Sequence, residues 1–388
     1  MPTYAKRVAP FGTTIFTEIN QLAARHDAVN LGQGRPDFDG PQAIIDAAID
    51  ALRSDGANQY APSPGLPSLR EGVARHADMF YGLNVDPEAG VIVTAGATQG
   101  VYSAIMGLVD PGDEVIIIEP YYDSYVPGVE MAGGKPVYVP MHPPNWTFDE
   151  GELRAAFSDK TRAVILNTPN NPSGRVYTRE ELQLFADLCI QHDVIVISDE
   201  VYEHLFFEGH RHVAIASLDG MFERTVTIGS AGKTFGMTGW KIGWVYGLPE
   251  LITGVWRSHQ FITFATNHPA QAATAYAFTL GSSYYEEYQA LYAHKRDLVM
   301  QVIDAAGMTA IQPEGTYFIM GDFSPVFDGN DVEFCKHLIE EIGVATIPPS
   351  AFFSAKHRHH AENHVRFAFC KSDETLEQAA ERIRRLRA

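Results

Sequence analysis

The chain has 388 residues, enough for two domains and a large core. Its 29 basic and 48 acidic residues give a net charge of −19, and no basic block is present to neutralise phosphates, so a nucleic-acid partner is not expected. Hydrophobic content of 45% with 20% charged residues suits a soluble globular protein, and no membrane span or internal repeat is read.

In chain order, Lys6 and Arg7 lack an apolar run behind them, so no signal peptide is read. Ile15–His26 reads as a helix. In VNLGQGRPDF, Gly32 and Gly34 mark a tight turn or a close backbone approach. Pro41–Ser54 repeats apolar positions at helical spacing. The Pro- and Gly-rich loop that follows carries Tyr60, and Ser68 with Glu71 predicts a capping box for the next helix. Val91–Thr94 is a strand that passes through Gly96-Ala97-Thr98 into a helix, Gln99–Leu108. Free N–H groups and the helix dipole favour an anion at such a turn, a pattern that many βα units share.

Val115–Ile118 is an apolar strand ending at Tyr121-Tyr122-Asp123, and Lys135–Val139 is another. Arg162–Leu166 runs into NTPNNPSGRVY, which holds Asn171. Thr178–His192 reads as a helix, and the strand Val194–Ile197 ends in SDEVYEHL, which holds Asp199 and Tyr202. The stretch Thr225–Gly247 brings a β-branched strand, Val226–Ile228, to Ser230 and Lys233, then carries Lys241 towards the strand Val245–Gly247. This alternation predicts an α/β fold, a mostly parallel sheet flanked by helices. Ligands in such sheets bind beyond the carboxyl ends of the strands, where all these unusual residues fall.

Ser258–Tyr285 lacks Asp, Glu, Lys and Arg but holds Asn267, Pro269 and Gln271, so it reads as a buried helical region and not a membrane span. Beyond it come a helix (Glu286–Ala306), a strand in QPEGTYFIMGDF, a helix (Asp331–Ile342), a strand in HVRFAFCK and a closing helix (Thr375–Leu386). The expected organisation is an N-terminal arm with part of a small domain over 1–46, a large domain over 47–285 and a small α+β domain over 286–388.

Cys189, Cys335 and Cys370 have no disulfide or metal spacing, which suits the reducing cytoplasm. His357, His359, His360 and His364 lack a cysteine or carboxylate cage and read as a solvated loop, so no metal is expected. Lys233 follows Gly232 as in a P-loop, but that motif needs glycine at position 227, which is Thr. Ser230-x-x-Lys233 lacks the S-D-N and K-T-G partners of penicillin-recognising enzymes. A lysine ending a buried strand among small residues is instead a candidate nucleophile, because burial frees its amine. Lysine, carboxylate, phenol, amide, aromatic and phosphate-type turn together form the set that pyridoxal phosphate asks for.

At NTPNNPSGRV, SDEVYEHL and IGSAGKTFGMTGWKIGW, the sequence resembles the fold-type I aminotransferases of class I and II, nearest the kynurenine/methionine aminotransferase group. The resemblance implies Lys233 as the Schiff-base lysine and proton shuttle and Asp199 as partner of the pyridinium nitrogen. Tyr202 and Asn171 would reach the phenolic oxygen, and Tyr122 would stack on the ring. Ala97, Thr98, Ser230 and Lys241 would hold the phosphate, with Tyr60 reaching it from the neighbouring subunit of a homodimer. Arg366 would grip the substrate α-carboxylate, alongside Gly34 and Asn171. Implied too is a cytoplasmic enzyme moving an amino group between an L-amino acid (methionine, glutamine or aromatic) and a 2-oxo acid by a ping-pong cycle. The alternative on this scaffold is cysteine-conjugate C–S β-lyase activity, told apart by release of pyruvate and a thiol without an acceptor. Arg35 stands where kynurenine aminotransferases commonly have an aromatic residue, and Thr266-Asn267 replaces an aromatic–histidine pair. Both departures are expected at the substrate side-chain pocket.

Overall fold

A computed structural model describes residues 4–387; the first three residues of the expected N-terminal arm lie outside the described residues. The helix Ile15–Arg25, capped by the Thr14 side chain, leads into β1 (Val29–Asn30). The central sheet follows, built from β2 (Val91–Thr94), β3 (Glu114–Glu119), β4 (Lys135–His142), β5 (Thr147–Phe148), β6 (Thr161–Asn167), β7 (Ile195–Asp199), β8 (Thr225–Ser230) and β9 (Gly243–Gly247). Its order is β2-β9-β8-β7-β6-β3-β4-β5. The core strands β4, β3, β6, β7 and β8 are mutually parallel. β9 runs antiparallel between β8 and β2, and β5 is an antiparallel edge.

Parallel strands covered by helices on both faces need apolar side chains on both faces, which is why Val115–Ile118 and Ala163–Leu166 are continuous hydrophobic runs, all buried. The helices Gly96–Leu108 and Arg179–His192 are among those that cover them. The latter starts on a capping box in which Thr178 and Glu181 exchange side-chain-to-backbone hydrogen bonds.

A second sheet is antiparallel: β10 (Thr309–Ile311), β11 (Phe318–Asp322) and β13 (His364–Ala368). β12 (Val344–Ala345) pairs in parallel with β1 across more than 300 residues of chain. The long helix Ser282–Ala305 and the helix Asp373–Ile383 share one apolar cluster with this sheet and with Ile19, Leu31 and Tyr202. The N-terminal segment therefore lies against the C-terminal part of the chain, and a single core runs from both to the end of β7.

Several expectations are corrected. Ser68 does not cap its helix: Pro67 occupies the first helical position, Leu66 precedes it, and no side chain caps. Proline is pre-organised for that position, which moves the helix start one residue ahead of Ser68. The helix after β2 begins at Gly96 and not Gln99. Asp331–His337 is α-helical, but Leu338–Ile342 widens into a π turn. The uncharged stretch from Ser258 is not uniformly buried, because Phe261 and Phe264 at the end of the helix Pro249–Ile262 are exposed. The histidine loop is only partly solvated. His357 is buried with Nδ1 against the buried Glu119 carboxylate, and His364 is buried on β13, while His360 is half-buried and His359 is exposed. Among the described residues, no helix is long and apolar enough to cross a membrane.

Candidate active site

A cavity of about 360 Å³ opens over the carboxyl ends of β6, β7 and β8. Its walls include Lys233, Asp199, Tyr202, Asn171 and Arg366, and also Tyr122, Ala97, Thr98, Ser230, Lys241 and Gly34. Tyr60 lies elsewhere, 85% exposed and edge-on to Phe264 with ring centroids 5.6 Å apart.

One end of the cavity is built to receive an anion. The helix Gly96–Leu108 points its first turn inward, leaving its leading N–H groups without intrahelical partners. Gly96 sits at φ +76°, and a Cβ there would come within 3.2 Å of the Lys241 Cε and Nζ. A Cβ on Gly243 would stand 2.6 Å from the Ala97 nitrogen. Both glycines thus let the helix N-terminus and the Lys241 amine share one small space. The Ser230 Oγ accepts the Gly232 N–H at 3.2 Å, which leaves its own hydrogen to donate.

The floor carries the ionisable pair. Asp199, the last residue of β7, is buried, and its Oδ2 accepts the Tyr125 hydroxyl at 2.6 Å. Burial outweighs that hydrogen bond and lifts the Asp199 carboxyl to about 6. A cation placed against it would restore the carboxylate. Lys233 follows β8 on the short helix Ala231–Thr234. Its Nζ donates to the Tyr317 hydroxyl at 2.5 Å and the Gly34 carbonyl at 3.2 Å. Burial lowers the Lys233 ammonium to about 8, so roughly a tenth is neutral amine at pH 7, far more than for an ordinary lysine. Tyr122 rises from the end of β3 and is half-buried, and its phenol is pushed up by burial.

The remaining wall comes from the other sheet. Arg366 on β13 is fully buried, with its guanidinium 4.1 Å from the Phe318 ring centroid. Nη1 donates to Asn171 Oδ1 at 2.7 Å and Nη2 to the Gly32 carbonyl at 2.6 Å, while Nε has no partner. No carboxylate pairs with this buried cation among the described residues. A charge so placed is incompletely satisfied until an anion joins it, and its fork suits a carboxylate. Burial lowers it only to about 10, so it stays charged at neutral pH.

Sequence reasoning missed three members of the site, Tyr125, Asn167 and Tyr317, and saw Gly32 only as a tight turn or close approach. Tyr125 braces Asp199, and Asn167 donates to the Asp199 carbonyl at 2.9 Å while accepting the Asn171 N–H at 2.8 Å. Tyr317 holds Lys233, and Gly32 holds Arg366. Tyr125 offered a signal three residues beyond Tyr122 on the next helix, Asn167 opens the motif NTPNNPSGRV, and Gly32 sits in the glycine-marked turn, whereas Tyr317 offered none. Thr266 and Asn267 line the outer hollow beside Tyr60 and not this cavity. Asn267 is consumed as a helix N-cap, its Oδ1 accepting the Ala270 N–H at 2.8 Å.

Among the described residues one cluster of metal-ligand types lies apart, His76, Glu203 and His204. It is closed on itself: the two Nε2 atoms share a hydrogen bond of 2.7 Å and Tyr81 donates to Glu203 at 2.5 Å.

The family described as aminotransferase class I and II matches residues 26–383. The chain is 40% identical to the kynurenine–oxoglutarate transaminase 1 of Homo sapiens, over 98% of this chain and 97% of that protein. It is likewise 40% identical to the methionine aminotransferase of Escherichia coli K12, with the same coverage of both chains. The solved structure of N-succinyldiaminopimelate aminotransferase from Mycobacterium tuberculosis superposes with a TM-score of 0.95 at 43% identity, covering 99% of this chain and all of that one.

Proposed function

Since the chain belongs to the aminotransferases of class I and II, we propose that it binds pyridoxal phosphate in the β6–β8 cavity and transaminates a fairly large neutral L-amino acid, of the methionine, glutamine or aromatic type, against a 2-oxo acid by a ping-pong cycle. The observation that carries this reading is one cavity holding a lysine whose ammonium is lowered by burial, a buried carboxylate, an anion cradle and a buried guanidinium without an anionic partner among the described residues. When bound, the cofactor supplies an aldehyde for amines and a ring that takes up electrons left on the substrate Cα.

The residues present fit that group. Ala97 and Thr98 N–H groups, Ser230 Oγ and Lys241 would hold its phosphate, and ionised Asp199, braced by Tyr125, would sit against its ring nitrogen. Tyr202 and Asn171 would reach its phenolic oxygen, and Tyr122 would cover one face. Arg366 and Asn171 would orient the amino acid by its α-carboxylate, beside the Gly34 backbone. Lys233 would then take the proton from Cα, with Tyr317 and the Gly34 carbonyl holding the ammonium until the proton is returned.

We further read the protein as a cytoplasmic homodimer of domains spanning 1–46, 47–285 and 286–388. The exposed Tyr60, Phe261 and Phe264 form an apolar face that a second subunit would cover, bringing Tyr60 to its phosphate site. All three cysteines are free and buried, in keeping with a reducing compartment.

The test is the visible absorbance of the purified protein before and after methionine, with Lys233→Ala alongside. A yellow wild-type protein that bleaches with methionine, and a variant that does not turn over, is the expected result. Protein that stays colourless after incubation with pyridoxal phosphate would sink the assignment.

A further inference from the structure

Two buried residues outside the cavity take no part in the proposed chemistry. Glu119, the last residue of β3, is fully buried, and neither it nor the buried His357 lines the cavity. Oε1 of Glu119 accepts the Ser354 N–H, and Oε2 faces Nδ1 of His357. A carboxylate kept out of water is costly unless hydrogen bonds satisfy it, and here both oxygens are committed to one short piece of chain.

That piece, 347–357, is fastened at its other end to the substrate wall. The Arg366 N–H donates to the Ile347 carbonyl at 3.0 Å, and the Ile347 N–H donates back to the Arg366 carbonyl at 3.2 Å. Ser350 donates to the buried Asp331 carboxylate, through its N–H at 2.8 Å and its hydroxyl at 3.0 Å. The buried Phe352 places its ring centroid 5.4 Å from the Arg366 guanidinium, which Phe16 and Phe318 also face. Rings within about 6 Å attract such a cation, so the position of Phe352 bears on the direction of the Arg366 fork. Beyond that ring the segment crosses to the central sheet. The Phe352 carbonyl accepts the Tyr121 N–H at 3.0 Å, and Glu119 then receives Ser354 and His357. Glu119 thus ties the wall that holds Arg366 to the strand end that bears Tyr122.

We propose that Glu119 and His357 are positioning residues for the substrate α-carboxylate: by clamping 354–357 to the end of β3 they hold Phe352, and through it the Arg366 fork, in register with Tyr122. This rests on the aminotransferase reading, in which Arg366 takes that carboxylate. With the clamp released, Phe352 and the fork shift together, and a misplacement of about 1 Å can cost up to about 100-fold in productive binding.

The test uses the pyridoxal-phosphate-loaded enzyme and two ligands, L-methionine and 3-methylsulfanylpropylamine, which is methionine without its α-carboxylate. The concentration of each that half-changes the visible band is read in wild type, His357→Ala, His357→Asn and Glu119→Leu, beside KM and kcat for methionine. Asn can still donate to Glu119 where Nδ1 stood, Ala cannot, and Leu removes both acceptors. His357→Ala is expected to raise the methionine concentration and KM about tenfold, with the amine concentration and kcat within about threefold of wild type. His357→Asn should recover most of the loss. Glu119→Leu should repeat the His357→Ala pattern; if it does not fold, His357→Ala decides alone, because it alters a loop and leaves β3 intact. Unchanged methionine binding in His357→Ala would overturn the proposal, as would methionine and the amine weakening equally, or His357→Asn as impaired as His357→Ala. Wild-type enzyme whose band answers no amino acid at all would instead overturn the transaminase reading, and this inference with it.

Discussion

The two walls of the cavity are built in different ways. The sheet-end wall takes its groups from turns that directly follow strands: Asp199 closes β7, Ser230 closes β8, and Lys233 comes three residues later. Its supports are short-range in space and largely within one sheet, such as Asn167 at the end of β6 bonding to the Asp199 carbonyl. The opposite wall is assembled from distant pieces of chain. Arg366 projects from the middle of β13, its partner Gly32 is 334 residues away in sequence, and Tyr317 meets Gly34 across 283. The first wall is a rigid ledge suited to a resident group, while the second is a seam between segments, suited to a guest that comes and goes.

That contrast predicts that damage to the two walls will separate by observable. Asp199→Ala should lower kcat by about 10²–10³-fold, since it removes the buried charge that would face the ring in the proposed reading, and should alter the visible band. Gly243→Ala should come next: its Cβ would meet the Ala97 nitrogen, so cofactor affinity should fall about tenfold or more. Equilibrium titration with pyridoxal phosphate would check it, and unchanged affinity would mean that the cradle is elsewhere. Arg366→Lys keeps the charge but loses the fork, and should raise KM for amino acids by about tenfold while leaving the cofactor spectrum intact. If Arg366→Lys bleached the cofactor and Asp199→Ala spared it, the division between the walls would be broken.

The same division explains what could be read in the sequence. Strand runs such as Val226–Ile228 and the groups that end them are local, so Asp199, Ser230 and Lys233 were legible from pattern and chemistry together. Arg366 was named only through the family resemblance, because nothing local in HVRFAF says that its guanidinium turns inward. Tyr317 was illegible, and Gly32 was legible as a close approach but not as the partner of Arg366, since both roles exist only once β11, β13 and the 31–35 loop are brought together. Ser68 and the buried His357 failed for a related reason. A proline overrode a plausible cap in the first, and a glutamate 238 residues away in sequence drew the histidine inward in the second.

The finest distinction between the walls lies at Lys233, where they meet. Burial sets its ammonium at about 8, so the rate at which cofactor-free protein captures pyridoxal phosphate should climb with pH towards 8 and level off above it. The sign follows from the amine, which attacks a carbonyl only when neutral. The Tyr317 hydroxyl accepts a hydrogen bond from the charged form and donates its own to Gly34, so it stabilises the ammonium. Tyr317→Phe should therefore move the inflection down, by roughly half to one pH unit. Capture below neutrality should then be faster in the variant than in the wild type. Stopped-flow absorbance across pH 6–9 reads this directly, with the amplitude reporting whether the cavity still binds. An inflection that stays in place would mean that the sheet-end wall alone sets the lysine, and that the seam contributes contact without charge control.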